Sequence, residues 1–203
     1  MNDHALDQEW TGAALLRFAL PTMAMMLFMG LYTMVDTVFV ARFVHTDALS
    51  AVNIVCPVIN VTVGLGTMLA AGGNAVISRK LGAGREQEAG EDLALLTLAA
   101  AAIGLLLFAA GSRRLDDLVG LLGAGGRLAP YCRAYLGTLL FFFPANVVQT
   151  VFASLFVTAG RPGLGLGLSV LGGLSNILLD YILIVPCGLG IRGAALGTGV
   201  GYL

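Results

Sequence analysis

The chain alternates between long apolar runs and short polar blocks. A helix needs about 20 residues to cross the ~30 Å hydrocarbon core of a bilayer, and five runs have about this length or more. A sixth run begins shortly before the last residue. The spans predicted from these runs cover about 13–43, 48–77, 93–110, 128–157, 164–185 and 193–203. The pattern predicts an all-α membrane protein, a six-helix transmembrane bundle.

The sixth run is the shortest of the six. Residues 193–203 would form only ~16 Å of helix at about 1.5 Å per residue, or about half of the core. We therefore expect five complete spans plus the start of a sixth, in one transmembrane domain over 13–203. The compact basic cluster from Arg79 to Arg85 favours a cytoplasmic position for the loop after the second span. Since two spans separate this loop from the start of the chain, residues 1–12 are predicted to be a cytoplasmic N-terminus.

Composition supports a lipid environment and excludes several functions. Hydrophobic residues make up 58% of the chain and charged residues 11%, whereas a soluble domain has about 25% charged residues. The net charge of −1 and the lack of a basic stripe argue against nucleic acid as a partner. Three cysteines without CxxC spacing and two histidines form none of the usual zinc or haem ligand sets. We expect no enzyme activity and no cofactor.

Glycines and prolines lie within the apolar runs. The glycines between Gly163 and Gly173 fall in the predicted fifth span, where small residues let helix backbones approach closely. We interpret them as packing positions rather than as a nucleotide-binding loop, which would need a preceding strand. Pro57 and Pro144 predict kinks, which membrane helices tolerate where neighbours re-satisfy the freed carbonyls.

Two acidic residues lie within apolar spans, Asp36 in the first and Asp180 in the fifth. An aspartate at a helix centre costs about 2.5–3.5 kcal/mol on insertion scales, so such residues usually face a cavity or a partner and mark ion or proton paths. The first and fifth spans cross in the same direction, and each Asp lies about seven residues, or ~10 Å, before the end of its span. The two carboxyl groups are therefore predicted to share one depth.

Polar neighbours accompany both acids. Tyr32 precedes Asp36 by four residues and Asn176 precedes Asp180 by four, so each pair shares one helical face. Two carboxylates that meet in a low-dielectric cavity repel each other, which suits them to exchange protons or to bind Na⁺. The alternative interpretation is a buried structural polar contact at each position.

Four segments carry a resemblance to a known family. Tyr32 to Arg42 reads YTMVDTVFVAR, and Ala48 to Pro57 reads ALSAVNIVCP. Asn176 to Thr198 reads NILLDYILIVPCGLGIRGAALGT, and Arg79 to Ala89 reads RKLGAGREQEA. Together they resemble the first-helix, fifth-helix and second-loop motifs of the multidrug and toxic compound extrusion (MATE) family. The resemblance extends over essentially the whole chain.

The resemblance implies a twelve-helix transporter of two six-helix lobes, of which this chain is the N-terminal lobe. Such a protein exports small organic cations across the bacterial plasma membrane, which is the inner membrane, in exchange for Na⁺ or H⁺. Its expected partners are these drugs, membrane lipid and the C-terminal lobe, and Na⁺ at Asp36 and Asp180 is the one metal ion that we expect. By position, the resemblance implies a cation site of Asp36, Asn176, Asp180 and Thr198, with Tyr32 and Asn146 as neighbouring cavity residues.

Three other functions are alternatives to drug export. A lipid-linked oligosaccharide flippase of the related superfamily usually needs several cations for phosphate, and the spans contain almost no Lys or Arg. An intramembrane aspartyl protease would use two acids as a dyad, but its Gly-x-Gly-Asp motif is absent, since Leu178 and Leu179 precede Asp180. A non-transporting assembly subunit of the membrane stays open as an alternative.

Overall fold

The computed structural model describes residues 12–159 and 162–203. The predicted cytoplasmic N-terminus lies outside these residues, except for Gly12, where the first helix begins. The described residues form the helices α1 (Gly12–Phe43), α2 (Thr46–Gly82), α3 (Glu86–Arg113), α4 (Leu115–Leu121), α5 (Ala129–Leu140), α6 (Phe143–Thr158), α7 (Pro162–Ile184) and α8 (Ile191–Val200). No strand occurs in the described ranges, and the predicted all-α fold is confirmed.

Four of the described helices are long and apolar enough to cross a membrane, namely α1, α2, α3 and α7. The pair α5 and α6 would make a fifth span, bent by 58° at the break between the two helices. The bend follows from Pro144 at the start of α6, because proline lacks the N–H that would continue the hydrogen-bond ladder. The kink predicted at Pro144 is confirmed, whereas α2 continues as one helix through Pro57.

The bent pair lies at the centre of the packing. Helix α6 packs mainly against α2 and α3, while α5 packs against α2 and α8. Leu136, Leu139 and Leu140 of α5 are completely or almost completely buried in the larger apolar cluster. By contrast, α1 packs chiefly against α7, and α7 packs against both α1 and α8. The α1–α7 pair therefore lies to one side of the central helices and α3 to the other.

Close approach of the central helices depends on glycine. A side chain at Gly104 of α3 would collide with the backbone of Pro144 at the bend, and one at Gly111 would collide with Leu140. In α7, Gly173 is similarly close to Phe28, which confirms the packing interpretation there. Gly163 and Gly167 have no neighbouring atom within 4 Å of an added Cβ in the described structure, so the interpretation stays a prediction for these two.

Candidate functional site

One face of α1 and one face of α7 meet along a shared stripe. On α7 the stripe consists of Gly173, Asn176 and Asp180, which recur at helical spacing. An added Cβ on Gly173 would lie 2.6 Å from the ring of Phe28 and 3.3 Å from the ring of Tyr32. Because Gly173 has no side chain, α1 approaches α7 closely just one turn before Asn176. This approach brings the two predicted acid faces together.

The carboxyl groups of Asp36 and Asp180 contact each other at hydrogen-bond distance. Asp180 is fully buried and Asp36 is partly buried. Apart from this mutual contact, Asp36 Oδ1 and both Asp180 oxygens have no hydrogen-bond partner among the described residues. Ionised carboxylates only accept hydrogen bonds, so the contact requires either one proton between the two groups or a cation.

A row of glycines on α8 packs against α7 at Asp180. Gly193, Gly197 and Gly201 recur every four residues along α8 and its end, the small-xxx-small spacing that lets membrane helices pack closely. An added Cβ on Gly193 would lie 3.0 Å from the backbone of Leu183, and one on Gly197 would collide with Oδ1 of Asp180. Asp180 is therefore enclosed between α1 and α8.

Thr198 is the next residue on α8 and lies on the tyrosine side of the site. Its Oγ1 donates to the carbonyl of Ala194 at 3.0 Å, and its side chain lies beside the hydroxyl group of Tyr135 on α5. The ring of Tyr135 is only 3% exposed and lies within electrostatic range of Asp36. Tyr202, just after α8, lies within the same range of Tyr32 and Asp36. Tyr135 and Tyr202 thus lie beside the acid pair.

The structure gathers five of the six predicted site residues around the α1–α7–α8 junction: Tyr32, Asp36, Asn176, Asp180 and Thr198. Asn176 is 3% exposed and its Oδ1 lacks a hydrogen-bond partner in the described structure. Asn146 on α6 is also buried with an unpaired Oδ1. No hydrogen bond within the described ranges joins Asn146 to either acid. The roles of all six residues remain predictions.

Sequence reasoning missed three contributors, Tyr135, Tyr202 and Gly197. Gly197 could have been found from the sequence, because the four-residue spacing of Gly193, Gly197 and Gly201 can be counted there directly. The tyrosines gave no such signal. They approach the acids only because α5 and the end of α8 fold against α1, and an aromatic residue in an apolar run is ordinarily a packing residue.

An all-helical bundle of membrane-length helices with an acid pair buried between two of them is the architecture of a helical membrane transporter lobe. The MatE family model matches residues 21–182, and the chain belongs to this family. The resemblance found in the sequence motifs is thereby confirmed.

Curated relatives and solved structures agree with this assignment. Multidrug export protein MepA of Staphylococcus aureus (strain MRSA252) is 28% identical over 188 residues, which cover 92% of this chain and 42% of the relative. A multidrug resistance MATE family transporter of the MOP superfamily in an outward-facing conformation superposes with a TM-score of 0.85 at 26% identity, covering 92% of this chain and 41% of that chain.

A second solved structure is a MOP superfamily transporter from Pyrococcus furiosus, whose reversed binding-pocket polarity was taken to suggest a different function. It matches with a TM-score of 0.84 at 26% identity over 92% of this chain and 41% of that chain. The chain spans about 42% of the length of the curated relatives that it matches.

Proposed function

We propose that this chain forms the N-terminal lobe of a multidrug exporter, in which Asp36 and Asp180 couple the export of organic cations to the entry of H⁺ or Na⁺. The observation that carries the proposal is the contact between the two carboxyl groups, one on α1 and one on α7. A proton or a Na⁺ ion can satisfy this contact. The pair therefore offers one exchangeable cation position between two helices.

Loss of the shared cation would change the relation of α1 to α7. Two unit charges 4 Å apart repel by about 4 kcal/mol at the effective dielectric constant typical of proteins. Moving a two-state equilibrium from 1:99 to 99:1 needs about 5.5 kcal/mol of differential binding. The repulsion is thus of the right order to bias α1 between two positions, and cation binding would reverse the bias.

Other features support α1 as the element that responds. Helix α1 packs chiefly against α7 and only weakly against α2, and many of its apolar side chains are exposed, including Leu27, Met26 and Met34. A helix held largely by one neighbour can shift more easily than α5 or α6, which are packed on several sides. The exposed methionines would suit varied drug substrates.

The remaining parts of the proposal follow from the relatives. MepA is a multidrug export protein, and we assign drug export to the complete transporter; small organic cations are the substrates that the motif resemblance implies. A second lobe would close the cavity that this lobe leaves open. The transporter would be a multi-pass protein of the bacterial plasma membrane.

The test is ethidium efflux from cells that lack their own pumps, using the chain extended by a second six-helix lobe. Asp180→Asn removes the exchangeable charge and should abolish cation-dependent efflux. Glu86→Gln is the matched control, because Glu86 is exposed at the start of α3 and away from both acids, and it should leave efflux unchanged. Retained efflux with normal cation dependence in Asp180→Asn would overturn the proposal.

A further inference from the structure

An apolar groove lies on the side of the bundle that α3 occupies. It has a volume of about 510 Å³ and runs between α2 and α3 towards the short helix α4. Its walls include Pro57 and Val61 of α2, Leu107 and Ala110 of α3, and Phe143 at the α5–α6 bend. Val61 is 60% exposed. Within the described residues the groove is lined almost entirely by carbon, and its one charged lining residue is Arg114.

A polar hollow adjoins this groove at the α3–α4 corner. It measures about 380 Å³ and is lined by Ser112, Arg113, Arg114, Asp116 and Asp117, together with Leu115. Arg114 belongs to both the groove and the hollow. Arg114 directly follows α3 and lies seven residues after Leu107, or ~10 Å along the axis. The two spaces thus adjoin at Arg114, the hollow lined by charged groups and the groove by hydrocarbon.

The charges of the hollow favour an anion. Arg114 pairs with Asp117 at 3.3 Å, and Arg133 of α5 pairs with Asp116. Arg113 is exposed and has no ion-pair partner in the described part of the chain. Arg133 lines neither space, but it neutralises Asp116, so Arg113 remains as one uncompensated positive charge in the hollow.

We propose that the groove and the hollow together bind one anionic phospholipid. An acyl chain would lie along the groove between α2 and α3, and the phosphate would contact Arg113 and Arg114. The depth fits, since an arginine at a helix end places its guanidinium at the headgroup level while the groove continues from there into the hydrocarbon core. Both ends of the site match the chemistry of one lipid molecule.

The experiment measures lipid retained by the purified 203-residue chain. The chain is incubated in detergent with phosphatidylglycerol or phosphatidylcholine, and native mass spectrometry counts bound lipid. We expect one phosphatidylglycerol to be retained several-fold better than phosphatidylcholine. Each basic residue near a membrane surface contributes about fivefold in affinity for anionic lipid, so Arg113→Gln should lower phosphatidylglycerol retention by about that factor and leave phosphatidylcholine unchanged.

A second pair of variants tests the hydrocarbon end. Ala110→Trp fills the groove and should lower the retention of both lipids. Leu106→Trp is the matched control, because Leu106 lies on the outer face of α3 with 68% exposure and does not line the groove; it should retain lipid as the parent does. Equal retention of the two lipids, unchanged binding in Ala110→Trp, or a lipid-free dimer would overturn the proposal.

Discussion

Gly197 is the residue that leaves room for Asp180. A methyl group at this position would occupy the space of the Asp180 carboxyl oxygen, and Asp180 is fully buried. Gly197→Ala is therefore expected to displace the carboxyl group from Asp36 or to push α8 away from α7, at a cost of about 1–3 kcal/mol for overpacking. Thermal unfolding in detergent, followed through the loss of helical circular dichroism, measures this cost.

The control for this prediction is Gly72→Ala on α2. Gly72 has no atom within 4 Å of an added Cβ in the described structure. Alanine is favoured over glycine by up to about 1 kcal/mol within a helix, so this variant should unfold at the same temperature or higher. If Gly197→Ala also leaves the melting temperature unchanged, the enclosure of Asp180 by α8 is wrong.

Among single residues, the two acids could be predicted from the sequence, whereas the tyrosines that lie beside them could not. Asp36 and Asp180 are recognisable because a charge in an apolar span is costly, and their common depth follows from counting residues along two helices. Tyr135 lies near Asp36 only because α5 packs against α8. No local pattern in the sequence carries that information, since buried tyrosines occur in many helix interfaces.

Among the elements, the junction between α3 and the bent pair α5–α6 is the most tightly constrained. Gly104 lies against the backbone of Pro144. Backbone atoms cannot rotate away from an added methyl group as a flexible side chain could. Gly104→Ala is therefore expected to force α3 away from the bend and to destabilise the lobe by about 1–3 kcal/mol. Unfolding with sodium dodecyl sulfate, followed by the loss of helical circular dichroism, measures the change.

Gly90→Ala provides the comparison within the same helix. Gly90 is exposed near the start of α3, with open space around an added Cβ. The variant should unfold at the same detergent fraction as the parent or at a higher one. Equal unfolding of the Gly104 and Gly90 variants would contradict the close packing described for this junction.

The limits of the helices differ from the predicted spans for physical reasons. Helix α3 begins at Glu86, whereas the predicted span begins at residue 93, because acids in a first helical turn are stabilised by the helix dipole although they do not belong in a lipid core. The Lys80–Asp92 ion pair, at 2.6 Å, also joins the last turn of α2 to α3. A count of apolar residues finds the membrane span and not the whole helix.

For the whole molecule, the central prediction is that this lobe needs a second one. The chain covers about 42% of its MepA relative, and many large apolar side chains of α1 and α7 are exposed, such as Leu27 and Leu171. Ethidium efflux is expected only from a version extended by a second lobe, not from the 203 residues alone. Efflux by the chain alone would mean that two copies associate to form the cavity.

The claim that Asp36 and Asp180 share one exchangeable cation is tested most directly by infrared spectroscopy of the purified chain at neutral pH without Na⁺. The account predicts a carbonyl band from one protonated carboxyl group. Because burial alone can keep a single carboxyl group protonated, the band should shift in Asp36→Asn and in Asp180→Asn, disappear when both substitutions are combined, and stay unchanged in Asp117→Asn. A parent chain without the band, or a band that is unchanged in both single Asn variants, would contradict a cation shared by Asp36 and Asp180.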